Sequence, residues 1–416
     1  MKTFLLQKFL HYRPASYKTL GTNFVYISFF RGLSIIFGMV KTYFLARSLS
    51  KEEFGSYQFI LNIVGLCWIF ALPGMQNAIM QNTSRSDSLA YRKASRLAFI
   101  SSLVGSVVLL ACTLFYMLAG QRLLWEGFLI CALLFPFFKG LQHWRGLPLG
   151  REDIRGLYLR EGIMSLASSA MIAATCLLFP GSLLAPLSAL LLVPSLQNII
   201  ISAMESRKLP KEESTEHEYI RYGYKTSFHL AAAIISQHLD KILVFTFLSP
   251  AALAIFVAAS RFADIARDAM QDIAIVITPR LARTNTYTKR LNTIFKFTAI
   301  IYGLFLTAFA FTLLPWLITT IFGQQYHDAV PYAQALLLSN AIGNFSALQF
   351  RYIRSQLDEQ AHKETSLYLA LSQIVFSLAL IPTLGLIGVV IASFCNKFAL
   401  MVYIGRIVKK RRDLDV

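Results

Sequence analysis

Phe228–Arg283 reads FHLAAAIISQHLDKILVFTFLSPAALAIFVAASRFADIARDAMQDIAIVITPRLAR, two helix-length segments hinged at Leu248–Ser249–Pro250. The first segment is apolar except for Gln237, His238, Asp240 and Lys241 near its middle; the second carries Arg261, Asp264, Arg267, Asp268 and Asp272. At about 100° per residue, positions 261, 264, 268 and 272 fall on one narrow helix face, with Arg267 at its edge. An amphipathic helix of a soluble protein has the same pattern, but the flanking sequence is far too apolar for one. In a bilayer a charged side chain near the centre costs at least roughly 2.5–3.5 kcal/mol, so such residues face a watery cavity or each other. The stripe is therefore read as a site inside an integral membrane protein.

The rest of the chain agrees. Of 416 residues 56% are hydrophobic, and the mean hydropathy is +0.54, values of a polytopic membrane protein. A spanning helix takes about 20 apolar residues, which leaves room for roughly twelve spans joined by short loops. Spans are expected at 21–45, 57–79, 95–119, 124–142, 157–179, 183–204, 226–248, 251–276, 294–318, 330–352, 366–382 and 385–408. The fold class expected is all-α. The five cysteines (Cys67, Cys112, Cys131, Cys176, Cys395) lie in apolar segments without CxxC spacing and read as small buried residues, with no metal site or disulfide framework.

A net charge of +18 suggests nucleic acid in a soluble protein, but here its placement answers to topology. With the N-terminus inside, segments after odd-numbered spans hold only Arg47, Lys51 and Arg122. Six cations sit within spans: Arg31, Lys41, Lys241, Arg261, Arg267 and Lys397. The other 31 of the 40 Lys and Arg lie in cytoplasmic segments and the span ends adjoining them. By the positive-inside rule both termini are expected in the cytoplasm, and no nucleic-acid partner is expected. Residues 1–20 read as a basic tail before an uncleaved first helix, and Lys409–Lys410–Arg411–Arg412 as a contact for anionic headgroups of membrane lipids. The one long polar loop divides the chain into an N-lobe (1–204, spans one to six), a cytoplasmic linker (205–225) and a C-lobe (226–416, spans seven to twelve).

The halves echo each other. Shifting the first by 199 positions places Leu49–Ser50 on Leu248–Ser249, Lys41 on Asp240 and Asn62 on Arg261. This fits a parallel duplication about an axis along the membrane normal, with the central site between the halves.

Four stretches carry a family resemblance. Leu49–Ser50–Lys51–Glu52–Glu53–Phe54–Gly55–Ser56–Tyr57 resembles the first loop of bacterial polysaccharide repeat-unit flippases. These are the Wzx-type O-antigen and capsule transporters of the multidrug/oligosaccharidyl-lipid/polysaccharide (MOP) exporter superfamily. Leu239–Asp240–Lys241–Ile242–Leu243 resembles their seventh-span signature. The loop 321–329 (IFGQQYHDA) is similar to theirs before span ten, and 381–388 (IPTLGLIG) to their turn into span twelve. The resemblance implies two six-helix lobes around a V-shaped cavity in the bacterial cytoplasmic (inner) membrane. It implies a transporter of undecaprenyl-pyrophosphate-linked sugar repeat units, with a glycan polymerase and chain-assembly proteins as neighbours. Lys397, beside Asn396 in span twelve, departs from the pattern, where neutral residues or cation ligands are expected. Coupling to a proton or a sodium gradient stays open, and no bound cofactor is expected.

No motif of reaction chemistry occurs: GxSxG, HExxH and a phosphate-binding glycine loop are all missing. The implied task needs cations for phosphates and amides for sugars. Arg31 heads the phosphate ligands, because a guanidinium grips phosphate oxygens with two parallel hydrogen bonds. It shares a face of span one with Ser34, Gly38, Lys41 and Thr42. Lys41 competes between this role and snorkelling to headgroups. Arg261 takes the comparable place in the second lobe, with Arg267 beside it; Asp264 is a competing partner for Arg261. Asn62, on the span-two face with Gln58, Gly65 and Gln76, suits sugar hydroxyls. Asp240 is expected to pair with Lys397, or with Lys241 or Arg267, and to serve in coupling. Pro73–Gly74, Pro136 and Pro194 are expected to bend their spans. The runner-up is a multidrug or other lipid exporter of the same superfamily. A glycan polymerase or ligase is disfavoured by the short outer loops, and a scaffold by the intraspan charge.

Overall fold

The computed structural model describes residues 17–85, 90–209, 217–282, 289–355 and 359–414. Fourteen α-helices and no strand occur among them: α1 Tyr17–Ser48, α2 Lys51–Cys67, α3 Met75–Arg85, α4 Ala90–Leu118, α5 Arg122–Phe135, α6 Gly146–Gly150, α7 Ile154–Leu178, α8 Leu184–Lys208, α9 His217–Phe247, α10 Pro250–Ala282, α11 Lys289–Thr312, α12 Leu314–Ile321, α13 Ala329–Ser355 and α14 Glu359–Leu414.

Nine helical stretches among the described residues are long and apolar enough to cross a membrane. One of them, Glu364–Ile407, contains two crossings. Its helix turns at Gly385, whose φ of 62° no ordinary side chain adopts freely. Asn396 Nδ2 donates to Gln373 Oε1 at 2.5 Å across that turn, so the two halves run antiparallel. Helices α10 and α13 also have span length but are more polar, α10 because of Arg261, Asp264, Arg267 and Asp268. Counting them, the expected twelve crossings are present.

Local chemistry sets the breaks. Ser50 caps α2 in a reciprocal box: its Oγ accepts from Glu53 N, and Glu53 Oε2 accepts from Ser50 N at 2.9 Å. Span two then ends its α-helix at Cys67, continues as a 3₁₀ turn over Trp68–Ala71, and puts Leu72 at φ 51° before Pro73. Proline supplies no N–H to the helix ladder, so the chain restarts as α3. Span four loosens into a π-helical step over Pro136–Gly140 and a 3₁₀ turn over Gln142–Arg145. Pro194 sits inside α8.

Two groups of helices result. Helix α1 packs on α7, α7 on α8 and α4 on α5; α10, α11 and α14 pack on α13, and α9 on α14. The groups meet where α2 crosses α9 and α10 and where α3 crosses α9. Lipid tails are as apolar as leucine, so this junction is held by close packing of small residues and by hydrogen bonds. At the Pro250 end, a Cβ on Gly55 would lie 1.8 Å from the Pro250 carbonyl oxygen. There Phe54 meets Phe322 and Tyr326 edge-on, Lys51 lies 3.7 Å from Asp328, and Gln325 Nε2 donates to Ala46 O at 3.1 Å. Burial of Tyr326 pushes its hydroxyl pKa up. At mid-height Phe59 and Phe245 stack at 3.8 Å. At the linker end Gly74 N donates to Ser227 Oγ at 2.9 Å.

The expected linker 205–225 is shorter than its polarity implies. α8 runs to Lys208 and α9 starts at His217. Glu205 is buried, lying 3.0 Å from Arg151 and 3.5 Å from Arg160, so it belongs to the first helix group. Residues 210–216, most of the N-terminal basic tail, and the side chains of Asp272 and of Lys409–Arg412 lie outside the described residues.

Candidate functional site

Arg261, from the charged stripe of α10, faces the junction. A Cβ on Gly38 of α1 would lie 2.9 Å from Arg261 Nη2, so the guanidinium rests directly on the α1 backbone. Its Nε is buried without a hydrogen-bond partner, and no carboxylate lies in ion-pair range among the described residues. Asp264, expected as its competitor, is taken by Arg267 at 3.1 Å; Arg267 also lies 3.6 Å from Asp268. Arg267 is thereby neutralised and half-exposed, while Arg261 keeps its charge unmatched. Lys41 is half-buried, lies within electrostatic range of Arg261, and has no acidic partner among the described residues. Arg31 is seven residues before Gly38, roughly 10 Å along the helix at about 1.5 Å per residue, and is engaged by another group of the protein. Lys41 and Arg261 thus come together where α1 approaches α10, and Arg31 shares the Gly38 face of α1 by helical periodicity.

Asn62 is taken up by helix contacts. Its Nδ2 donates to Gln58 O at 2.7 Å, and its Oδ1 lies 2.9 Å from His238 Nδ1 on α9. This pair joins the two helix groups, as Arg261 against Gly38 does. His238 also packs on Gly65, where a Cβ would come within 2.3 Å of the ring.

The expected Asp240–Lys397 pair does not form. Asp240 on α9 accepts from Ser377 Oγ at 2.5 Å and Gln373 Nε2 at 2.7 Å, both on α14. Gln373 in turn accepts from Asn396, which accepts from Ser372 at 2.5 Å. Lys397 Nζ instead donates to Asn340 Oδ1 on α13, and Asn340 Nδ2 donates to Ala263 O at 2.6 Å. Of the two alternatives, Arg267 is held by Asp264, while Lys241 lies within electrostatic range of Asp240 without closing a salt bridge to it. The reason is physical: neutral amides and hydroxyls on neighbouring helices satisfy each charge at shorter range than the opposite charge offers. The carboxylate of Asp240 is left among neutral hydrogen-bond donors, apart from Lys397. Among the described residues no group of three His, Cys, Asp or Glu side chains is placed to hold a metal ion.

A second polar cluster escaped the sequence reading. Lys139, in the π step of span four, lies 5.2 Å from the Trp68 ring centre and 4.5 Å from that of Phe138. His143 is fully buried with Nε2 2.8 Å from Ala71 O. Arg145 lies 2.7 Å from Glu161. The signal lies in the sequence: Lys139 falls inside the expected span 124–142, near its cytoplasmic end.

These elements define a class: an all-α, multi-pass membrane protein with two helix groups and a cationic junction between them. Its fold is that of known transporters. The lipid II flippase MurJ in its inward closed conformation superposes with a TM-score of 0.73 at 15% identity, over 92% of this chain and 87% of MurJ. An inward-facing multidrug resistance MATE family transporter of the MOP superfamily gives 0.70 at 15% identity, over 92% and 96%. A MOP superfamily transporter from Pyrococcus furiosus, described by its reversed pocket polarity, gives 0.60 at 13%, over 93% and 95%. The comparison with curated proteins finds no match. The polysaccharide biosynthesis protein family model matches residues 44–331, and the chain belongs to that family.

Proposed function

We propose that this protein flips undecaprenyl-pyrophosphate-linked oligosaccharide repeat units across the bacterial inner membrane by alternating access, in assembly of O-antigen, capsule or exopolysaccharide. The observation that carries this reading is Arg261. It is a half-buried cation at the junction, set on Gly38, with its buried Nε unpartnered and Lys41 near. An unmatched cation pair in a membrane interior is costly and is stabilised by an anionic ligand. A pyrophosphate supplies that anion, held by Arg261 and Lys41 with Arg31 further along α1. Asn62 and His238 are engaged with each other across the lobes and leave the sugar block to other polar groups of the cavity, and both termini lie in the cytoplasm. Asp240, held by hydroxyl and amide groups, carries the coupling proton in preference to sodium. The protein acts as a transporter and forms no covalent intermediate. Family membership and the MurJ-like fold support the reading.

The test is deletion of the gene with Arg261→Ala or Arg31→Ala copies supplied back. Lost surface glycan, with intact lipid-linked repeat units retained on the inner face, is expected for the deletion and for normally expressed Arg261→Ala. Normal glycan with altered drug tolerance would move the assignment to a multidrug exporter.

A further inference from the structure

Lys139 is the centre of a second site. Its ammonium sits over two aromatic rings, with the Arg145 guanidinium and the neutral imidazole of His238 within electrostatic range. Arg145 is already held by Glu161. Among the described residues Lys139 has neither a hydrogen-bond acceptor nor an ion-pair partner. Two buried donors in the adjoining segments, Trp68 Nε1 and Gln142 Nε2, lack acceptors, and Lys139 itself is half-buried. The π step of Pro136–Gly140 and the 3₁₀ turn of Trp68–Ala71 pack together, so two irregular helix segments meet at this point. Extra-wide helical turns of this kind are frequent at functional sites. Donors without acceptors in a dry interior are stabilised by an acceptor-rich anion.

Trp68 adds a second recognition element. A flat indole accommodates the C–H face of a sugar ring, and the ammonium beside it takes an anionic substituent. Trp68 lies about 9 Å along its helix from Asn62, at about 1.5 Å per residue, and the Asn62–His238 contact joins the two helix groups. We propose that Lys139 and Trp68 form a specificity subsite in the first lobe for an acidic sugar, binding its carboxylate away from the pyrophosphate site at Arg261. This rests on the flippase reading and names the substrate class: repeat units bearing an acid-substituted sugar.

The experiment uses the full chain in nanodiscs and three probes: undecaprenyl pyrophosphate and its glucosyl and glucuronosyl derivatives. Wild type is expected to bind the glucuronosyl probe at least about tenfold more tightly than the glucosyl one, the scale of one hydrogen bond to a charged group. Lys139→Gln is expected to bring that ratio to one, Lys139→Arg to keep most of it, and Arg261→Gln to weaken all three probes alike. Equal binding of both sugar probes by wild type overturns the subsite alone. An equal loss for the sugar-free lipid in Lys139→Gln overturns it too, by making Lys139 a phosphate ligand. Failure of wild type to bind any probe refutes the flippase reading and removes the inference with it.

Discussion

Gly55→Ala is the most direct perturbation of the junction. The added Cβ would stand 1.8 Å from Pro250 O, 2.5 Å from its carbonyl carbon and 3.0 Å from its Cα, all backbone atoms that cannot swing aside. Ordinary contact begins at 3.4 Å, so the helix groups must separate there by about 1.6 Å, the difference between 3.4 and 1.8. Overpacking of this kind costs roughly 1–3 kcal/mol, which shifts a two-state equilibrium by about 5–150-fold. The arrangement closed at the Pro250 end should lose population to one open there. The assay is labelling of a Tyr326→Cys reporter by a membrane-impermeant maleimide in a cysteine-free background, since Tyr326 is fully buried in the closed junction. Gly32→Ala is the control, having nothing within 4 Å of its new Cβ. Labelling at least about fivefold faster in Gly55→Ala is expected, with Gly32→Ala unchanged. If Gly55→Ala labels at the parental rate and melts at the parental temperature, the close approach does not exist and the reasoning fails.

Other outcomes follow from the same contacts. Asp328→Lys should open the Pro250 end only slightly, because an exposed pair such as Lys51–Asp328 is worth about 0–1 kcal/mol; combining it with Lys51→Asp should restore parental labelling, and a large single-mutant effect would contradict this. Glu205→Gln leaves Arg151 and Arg160 facing a neutral amide. It should cost about 1–3 kcal/mol, below the 3–5 of a fully buried pair because both arginines are partly exposed, read as a lower melting temperature in detergent. Asp240→Asn keeps acceptor capacity toward Ser377 and Gln373, so it should melt normally yet transport at a rate insensitive to the proton gradient; retained gradient dependence would clear Asp240 of coupling.

How much was legible in the sequence depended on range. The apolar runs and the placement of Lys and Arg gave the helical class and twelve crossings, because membrane insertion is decided by composition over about 20 residues. The face of α10 was legible for the same reason, since helical periodicity is local. Partner choice was not. Asp240 and Lys397 looked like a pair because each was an isolated charge, but their neighbours Ser377, Gln373 and Asn340 carry ordinary polar side chains that a one-dimensional reading passes over. The helix breaks at Pro73 and Pro136 were foreseen as bends. That they bring Trp68 under Lys139 depends on two segments some seventy residues apart packing together, which no periodicity encodes.

The segmentation of span two has a mechanical consequence. One rigid rod docked on the partner lobe at both ends would resist any rocking. This rod is jointed: the α-helical ladder ends at Cys67 and resumes at Met75, with Leu72 in a left-handed conformation between. The Lys51–Cys67 half can peel from Pro250 while the Met75–Arg85 half stays seated on α9, and the reverse. Under the proposed alternating access, each half-rod would govern access from one side of the membrane, with the joint that begins at Trp68 between them.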